Sequence, residues 1–295
     1  MSSPQTTPPS ALAVGLALAS VYLVWGSTYL AIRVGLEGYP PFLMGSLRFL
    51  AASLAFYAFL RWRGHAPPTR AQWKNAAFMG LFMMLLGNGL VNFAEQTVSS
   101  GLAAVAVASM PLWAGLFGVL RGQHPSRGEW LGLAIGFLGV VWLNFDGEMQ
   151  ASLGGMLALL AAPIAWAFGS VWSRGRDLPA PFMSTAAQML CGGVAMGVLG
   201  LVLGERITEV PPLSATLAVG YLAAFGSIVG FSAYVWLLHH VRPALATSYA
   251  YVNPPIAVLL GALLLHERVG ADAIGAMAVI LAGVVIITRA KARAS

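Results

Sequence analysis

The sequence predicts an all-α integral membrane protein: ten transmembrane helices forming two five-helix repeats of inverted topology. Three observations predict it. Only 9% of the 295 residues are charged and 58% are hydrophobic. Charge-free stretches long enough to span a bilayer recur along the chain. The second half of the chain matches the first at an offset of about 143 residues.

The scarcity of charge excludes whole classes of function. A soluble globular protein carries roughly 25% charged residues, so this chain cannot clothe a water-facing surface. The mean hydropathy of +0.78 agrees. A soluble enzyme, a disordered tail and a nucleic-acid binder all fit poorly. The pI near 9.8 reflects only 16 Lys and Arg against 10 acids. The one cysteine, Cys191, excludes an intrachain disulfide framework and a cysteine-based zinc cluster.

The elements follow from about 20 mostly apolar residues per span. Residues 1–32 carry no charge, and the first helix is expected over 11–32. The first ten residues hold no Lys or Arg, unlike a cleaved signal peptide, so this helix is read as retained. The second, 41–60, reaches full length only if it starts near Pro41 and includes Arg48. The rest of the first half is expected over 74–94, 100–120 and 129–145. The second half is expected over 152–173, 181–203, 213–238, 243–264 and 271–288. Short connections leave no room for a separate soluble domain. The chain thus divides into a short tail (1–10), a first repeat (11–146), a second repeat (152–288) and a basic tail (289–295).

Basic residues orient the bundle. With an even number of spans both termini lie on one side, which would hold twelve of the sixteen Lys and Arg. The other side holds Arg33, Arg206 and Arg268, and Arg48 falls within a span. Both termini are therefore expected in the cytoplasm, with the chain a multi-pass protein of the cytoplasmic membrane.

The repeat is an ordered series of weak matches. Gly26-Ser27 and Arg33 answer to Gly169-Ser170 and Arg176. Gly87 answers to Gly230, Gly101-Leu102-Ala103 to Ala244-Leu245-Ala246, and Pro111 to Pro254. Gly132 answers to Gly275, and one residue of slippage brings Gly139-Val140-Val141 onto Gly283-Val284-Val285. A shorter offset aligns Pro41-Phe42 with Pro181-Phe182. Because five is odd, the second half would enter the membrane from the opposite side. Inverted halves suit alternating access, each serving as the gate on its own side. The plainer reading is that duplication only built a stable bundle.

The segments Val24-Trp25-Gly26-Ser27-Thr28-Tyr29 and Leu47-Arg48-Phe49-Leu50-Ala51 resemble the opening of an EamA domain. Gly101 to Pro111 with Gly132 to Gly139, and Ala246 to Pro254 with Leu264-Leu265-His266-Glu267-Arg268 and Gly275 to Gly283, resemble the ends of two such domains. Over almost its whole length the chain resembles a ten-helix member of the drug/metabolite transporter superfamily. Within it, the chain looks most like the YddG-type exporters of aromatic and other amino acids. That resemblance implies a secondary transporter exporting amino acids. The alternatives are efflux of drugs or flat organic cations, transport of another small metabolite, and, less favoured, a channel or membrane enzyme. The family often places an acid after the fourth helix of each half. Glu267 fills that place in the second half, whereas Gly122-Gln123-His124 stands in the first.

Candidate site residues are polar or aromatic groups at membrane depth, where such groups usually face the bundle interior or a wet cavity. Asn88, Asn92 and Glu95 recur at helical spacing on one expected face of the third helix. The two asparagines are assigned to substrate, with interhelical bonding as the other reading; Glu95 is read as an interfacial charge. Pro111 and Pro254, with Pro255, are expected to interrupt the fourth and ninth helices at matching places and to free carbonyls of Val107, Ala250 and Tyr251. Tyr249 and Asn253 sit beside the second interruption. Trp25 with Tyr29, Trp166 with Ser170, and Trp113 are read as cavity walls able to stack on flat or apolar side chains. Trp172 and Trp236 are read as interface anchors.

Arg48 is read as a structural clamp, with snorkelling, a pair with Glu95 or a grip on a substrate carboxylate left open. Gly87 and Gly230 are expected bending points. The Gly132-x-x-x-Gly136 pattern is expected to pack against the tenth helix rather than to drive dimerisation, and a monomer is expected. No hydrolase, metalloprotease or nucleotide-binding motif occurs, and all five histidines fall in connections. No catalytic residue, metal or cofactor is expected, and the partners expected are a small-molecule substrate and the lipid bilayer.

Overall fold

A computed structural model of the protein describes residues 9–97, 103, 106–143, 152–265 and 270–292. All regular structure among them is helical. Helices α1 (Ala11–Leu36), α2 (Pro41–Trp62) and α3 (Arg70–Ala94) are followed by α4 (Met110–Val119) and α5 (Arg127–Leu143). The second half has α6 (Leu153–Ser173), α7 (Pro181–Val202), α8 (Leu213–His240), the short α9 (Pro243–Ala246), α10 (Tyr249–Leu265) and α11 (Ala271–Ala292). Six of these, α1, α2, α3, α6, α7 and α8, are long and apolar enough to cross a membrane. Shorter apolar helical stretches cover Ala106–Val119 and Ile274–Ile287.

Helix ends obey local chemistry. Ser10 caps α1 and Ser152 caps α6, each through its side-chain oxygen. Thr69 and Gln72 form a capping box, which starts α3 at Arg70, ahead of the expected position 74. Ser126 and Glu129 cap α5 by the same exchange, with Ser126 N–H donating to Glu129 at 2.7 Å. Helices α2 and α7 match closely. Each runs for 22 residues, begins on a proline and is followed by a glycine at positive φ, Gly64 at 83° and Gly204 at 82°. A left-handed residue just past a helix end is cheap only for glycine. At its N-terminus α2 is capped from the other half: the Glu205 carboxylate accepts the N–H groups of Phe42 and Leu43.

The packing interleaves the two halves. Helix α2 lies along α7, and α5 along α11. Helix α1 packs on α8 and α10, while α6 packs on α3 and α4. The α5–α11 seam brings backbones together: a Cβ on Gly132 would lie 2.7 Å from the Gly283 carbonyl, and one on Gly283 would lie 2.7 Å from the Gly136 Cα. The small-residue pattern on α5 therefore packs within the chain. At the end holding the 120s loop, Arg242 pairs with the buried Glu129 at 3.0 Å and donates to the His124 carbonyl. Arg121 donates to the carbonyls of Val171 and Trp172.

Two expectations need correction. The long helices α3 and α8 are not α-helical throughout, since Gly80–Gly89 and Leu222–Val229 are π-helical. That i→i+5 bonding changes the winding between Asn88 and Asn92, and the two part: Asn88 lines the central cavity, while Asn92 bonds the Pro41 carbonyl of α2. The prolines also do not interrupt matching places. Pro111 lies in the first turn of α4, after a turn at Ser109, where a missing N–H costs little. Pro254 and Pro255 lie inside the continuing helix α10, and the break in that half falls earlier, at Thr247-Ser248. Gly101-Leu102 and His266 to Arg268 of the repeat motifs lie outside the described residues.

Candidate functional site

A cavity of about 70 Å³ sits where α1, α2, α3, α4, α6, α8 and α10 converge. From α1 it takes Trp25, Thr28, Tyr29 and Ile32. That spacing of i, i+3, i+4 and i+7 forms one stripe along a helix. Arg48 comes from α2, and Gly87, Asn88 and Val91 from α3. Val107 and Met110 enter beside α4, Ala162, Pro163 and Trp166 from α6, Phe231 from α8, and Tyr249 and Asn253 from α10.

An aromatic knot dominates one wall. The Trp25 ring lies 4.6 Å from Tyr249, 5.0 Å from Phe231, 5.2 Å from Tyr234 and 5.6 Å from Trp166, centroid to centroid. Edge-on and tilted contacts at these distances are the favourable ones. Each buried polar tip is satisfied. The Trp25 indole N–H donates to the Gly226 carbonyl at 2.9 Å, within the π-helical stretch of α8. The Trp166 N–H donates to the Tyr234 hydroxyl at 3.2 Å, and that hydroxyl bonds Ser170 at 2.7 Å. The Tyr249 hydroxyl reaches the Met110 sulfur. Glycines make room for the rings. A Cβ on Gly230 would collide with the Trp25 indole nitrogen, and one on Gly87 would lie 2.6 Å from the Trp166 ring.

The polar wall is built differently. Arg48 is 2% exposed and its Nε donates to Ser227 Oγ at 2.9 Å. Gly226 lets the guanidinium lie close, since a Cβ there would be 3.0 Å from Nη2. Among the described residues no acid forms an ion pair with Arg48, and none lines the cavity. Asn253 is buried and its Oδ1 has no partner among the described residues. Among the described residues the Asn88 amide makes only a long contact, 3.5 Å, to the Met83 carbonyl.

The cavity thus gathers Trp25, Tyr29, Asn88, Trp166, Tyr249 and Asn253, together with Arg48 and Gly87. Ser170 and Gly230 stand one step back, against Tyr234 and Trp25. Asn92 lies elsewhere: it is buried and donates to the Pro41 carbonyl of α2 at 3.3 Å. Trp113 is half-buried against the central core, outside the cavity lining. Pro111 and Pro254 are buried but do not line it. Glu95 is also outside the lining, beside Tyr29 and Arg33. Sequence reasoning missed Thr28, Met110, Phe231 and Tyr234. Thr28 and Ile32 were legible on the stripe through Trp25; Phe231 and Tyr234 depend on the turn of the π stretch.

Apolar helices long enough to span a membrane that converge on a small cavity define a multi-pass membrane protein with a central cavity. Comparison with known proteins makes the class specific. The EamA-like transporter family matches residues 11–145 and again 153–289, and the chain belongs to that family. It is 46% identical to the uncharacterized inner membrane transporter YedA of Escherichia coli K12, over 93% of this chain and 90% of that protein. It is 28% identical to the uncharacterized transporter YdfC of Bacillus subtilis, over 83% and 80%. It is 26% identical to a probable amino-acid metabolite efflux pump of Escherichia coli K12, over 89% and 91%. A crystal structure with 21% identity superposes with a TM-score of 0.81 over 97% of this chain and all of that one, so the two share a fold. The protein is a transporter rather than an enzyme, and a multi-pass protein of the inner membrane.

Proposed function

We propose that the protein exports amino acids, aromatic and other apolar or neutral ones above all, by alternating access around the central cavity. The observation that carries this is the pairing of an aromatic wall with amides at one site: Trp25, Trp166, Phe231 and Tyr249 face Asn88 and Asn253 across the same cavity. Rings stack on flat or apolar side chains, and amides both donate to and accept from a zwitterion. The similarity to a probable amino-acid metabolite efflux pump supports the same class. At about 70 Å³ the cavity has room for only a few water-sized molecules, so an amino acid enters when the aromatic knot parts.

The bundle is read as ten spans in two inverted five-helix repeats, over 11–146 and 152–288, with both termini in the cytoplasm. Several features support the inverted halves. The family matches twice, α2 and α7 begin and end alike, and both π-helical stretches lie in corresponding helices. The contacts also exchange: α1 packs on α10 as α6 packs on α4. Each half can then rock against the other around the site.

Counterflow into liposomes containing the purified protein tests the reading. Uptake of labelled phenylalanine driven by preloaded phenylalanine, competed by other neutral amino acids and not by sugars or nucleosides, is the expected result. No counterflow for any amino acid would overturn it.

A further inference from the structure

Arg48 is a charge at membrane depth that no acid among the described residues pairs with. It is buried, it lines the cavity, and its one side-chain hydrogen bond among the described residues leaves through Nε. Its guanidinium also lies over the Phe49 ring, 4.8 Å from the centroid, which lends an aromatic face but no hydrogen-bond acceptor. A cation in such a place is costly unless a counter-charge or water meets it, and the other polar groups around this cavity are neutral: Thr28, Tyr29, Asn88 and Asn253. The arginine is also held in position rather than free to snorkel. Ser227 fixes Nε, and Gly226 admits Nη2 from the same turn of the other half. A guanidinium anchored by Nε presents its remaining N–H groups as a planar fork, the geometry that matches a carboxylate. Asn253 adds a second unmet need, a buried oxygen without a donor.

We propose that Arg48 is the residue that binds the substrate carboxylate, and that the cavity therefore selects solutes bearing one and rejects organic cations. This rests on the amino-acid reading and deepens it. The carboxylate neutralises Arg48, and the ammonium group supplies the donor that the Asn253 oxygen lacks. The charge then serves as a filter: a flat organic cation meets the same aromatic wall but also a buried positive charge with no acid beside it.

The test compares phenylalanine with phenylalaninamide, which keeps the ring and the ammonium but loses the carboxylate. Inhibition of phenylalanine counterflow by each compound is measured in the wild type and in Arg48→Gln, Arg48→Lys and Ser227→Ala. The wild type is expected to prefer the acid by about tenfold or more, the worth of a charged hydrogen bond. Arg48→Gln is expected to abolish that preference. Arg48→Lys keeps the charge without the fork and is expected to retain part of it. Ser227→Ala, which frees Nε, is expected to weaken phenylalanine by a few-fold and phenylalaninamide little, so that the preference narrows.

An acid-over-amide preference in Arg48→Gln equal to that of the wild type would overturn the proposal, as would inhibition of the wild type by phenylalaninamide or a cationic dye equal to that by phenylalanine. Should Arg48→Gln fail to fold, an unreduced preference in Arg48→Lys would overturn it instead. These outcomes presuppose counterflow by the wild type; absence of counterflow in every protein is the separate failure of the amino-acid reading.

Discussion

The π-helical stretches of α3 and α8 occupy corresponding places in the two halves and serve the cavity in different ways. In α3 the stretch delivers a side chain: Asn88 faces the cavity, and Gly87 admits the Trp166 ring of α6. In α8 the stretch delivers backbone and a hydroxyl: the Gly226 carbonyl holds Trp25, and Ser227 holds Arg48. Beneath the difference lies one exchange. The first helix of each half sets a tryptophan against a glycine of the third helix of the other half, Trp25 on Gly230 and Trp166 on Gly87. Duplicated halves can therefore keep a shared packing device while their polar chemistry diverges. A wider turn inside a helix is uncommon and clusters at functional sites, and here both examples border the same cavity.

The largest expected effects come from filling the two glycines. Gly230→Leu forces Trp25 out of the knot, because its Cβ would overlap the indole nitrogen that bonds Gly226. Counterflow should fall by more than about tenfold, and the thermal midpoint in detergent should drop, as strained overpacking of a core costs roughly 1–3 kcal/mol. Gly87→Leu should act in the same direction through Trp166 but less severely, since the contact is with a ring edge away from the indole nitrogen and Ser170 would still satisfy the Tyr234 hydroxyl. Equal activity in Gly230→Leu and wild type would break the comparison at its root.

The tryptophans themselves give the next largest effects. Trp25→Phe keeps the ring contacts but strands the Gly226 carbonyl, a loss of about 1–3 kcal/mol for an unsatisfied buried group. Trp166→Phe loses a bond to the Tyr234 hydroxyl, which Ser170 still satisfies. The first variant should therefore melt lower than the second, and counterflow should be reduced in both. Trp113→Ala should reduce counterflow less than Trp25→Ala, because Trp113 packs in the core outside the cavity lining. A Trp113→Ala defect as deep as that of Trp25→Ala would mean the working cavity extends beyond the one described.

What was legible from the sequence was periodic. Helix α1 puts Trp25 and Tyr29 on one stripe by spacing alone, and the prolines at 41 and 181 mark the matching starts of α2 and α7. The Gly132 pattern pointed to the α5–α11 seam for the same reason, since close backbone approach needs small residues at helical spacing. The illegible parts depend on partners or on altered winding. No residue pattern announces i→i+5 bonding, so the faces of α3 beyond Gly89 could not be read by counting. The hold of Ser227 on Arg48 joins residues far apart in the chain, and only packing brings them together. Pro111 misled because proline has one meaning inside a helix and another in its first turn.

The smallest effects separate the two asparagines that counting had placed together. Among the described residues Asn88 makes only a 3.5 Å contact to the Met83 carbonyl, and it faces the cavity, so Asn88→Leu should lower counterflow by a few-fold and leave the melting temperature nearly unchanged. Asn92 is buried against α2, where it donates to the carbonyl of Pro41, the residue that opens that helix. Asn92→Leu should cost stability of about 1 kcal/mol and spare the substrate preference. Melting curves in detergent and the acid-over-amide ratio check the pair. The reverse pattern would mean that in the membrane Asn92, and not Asn88, is turned toward the substrate.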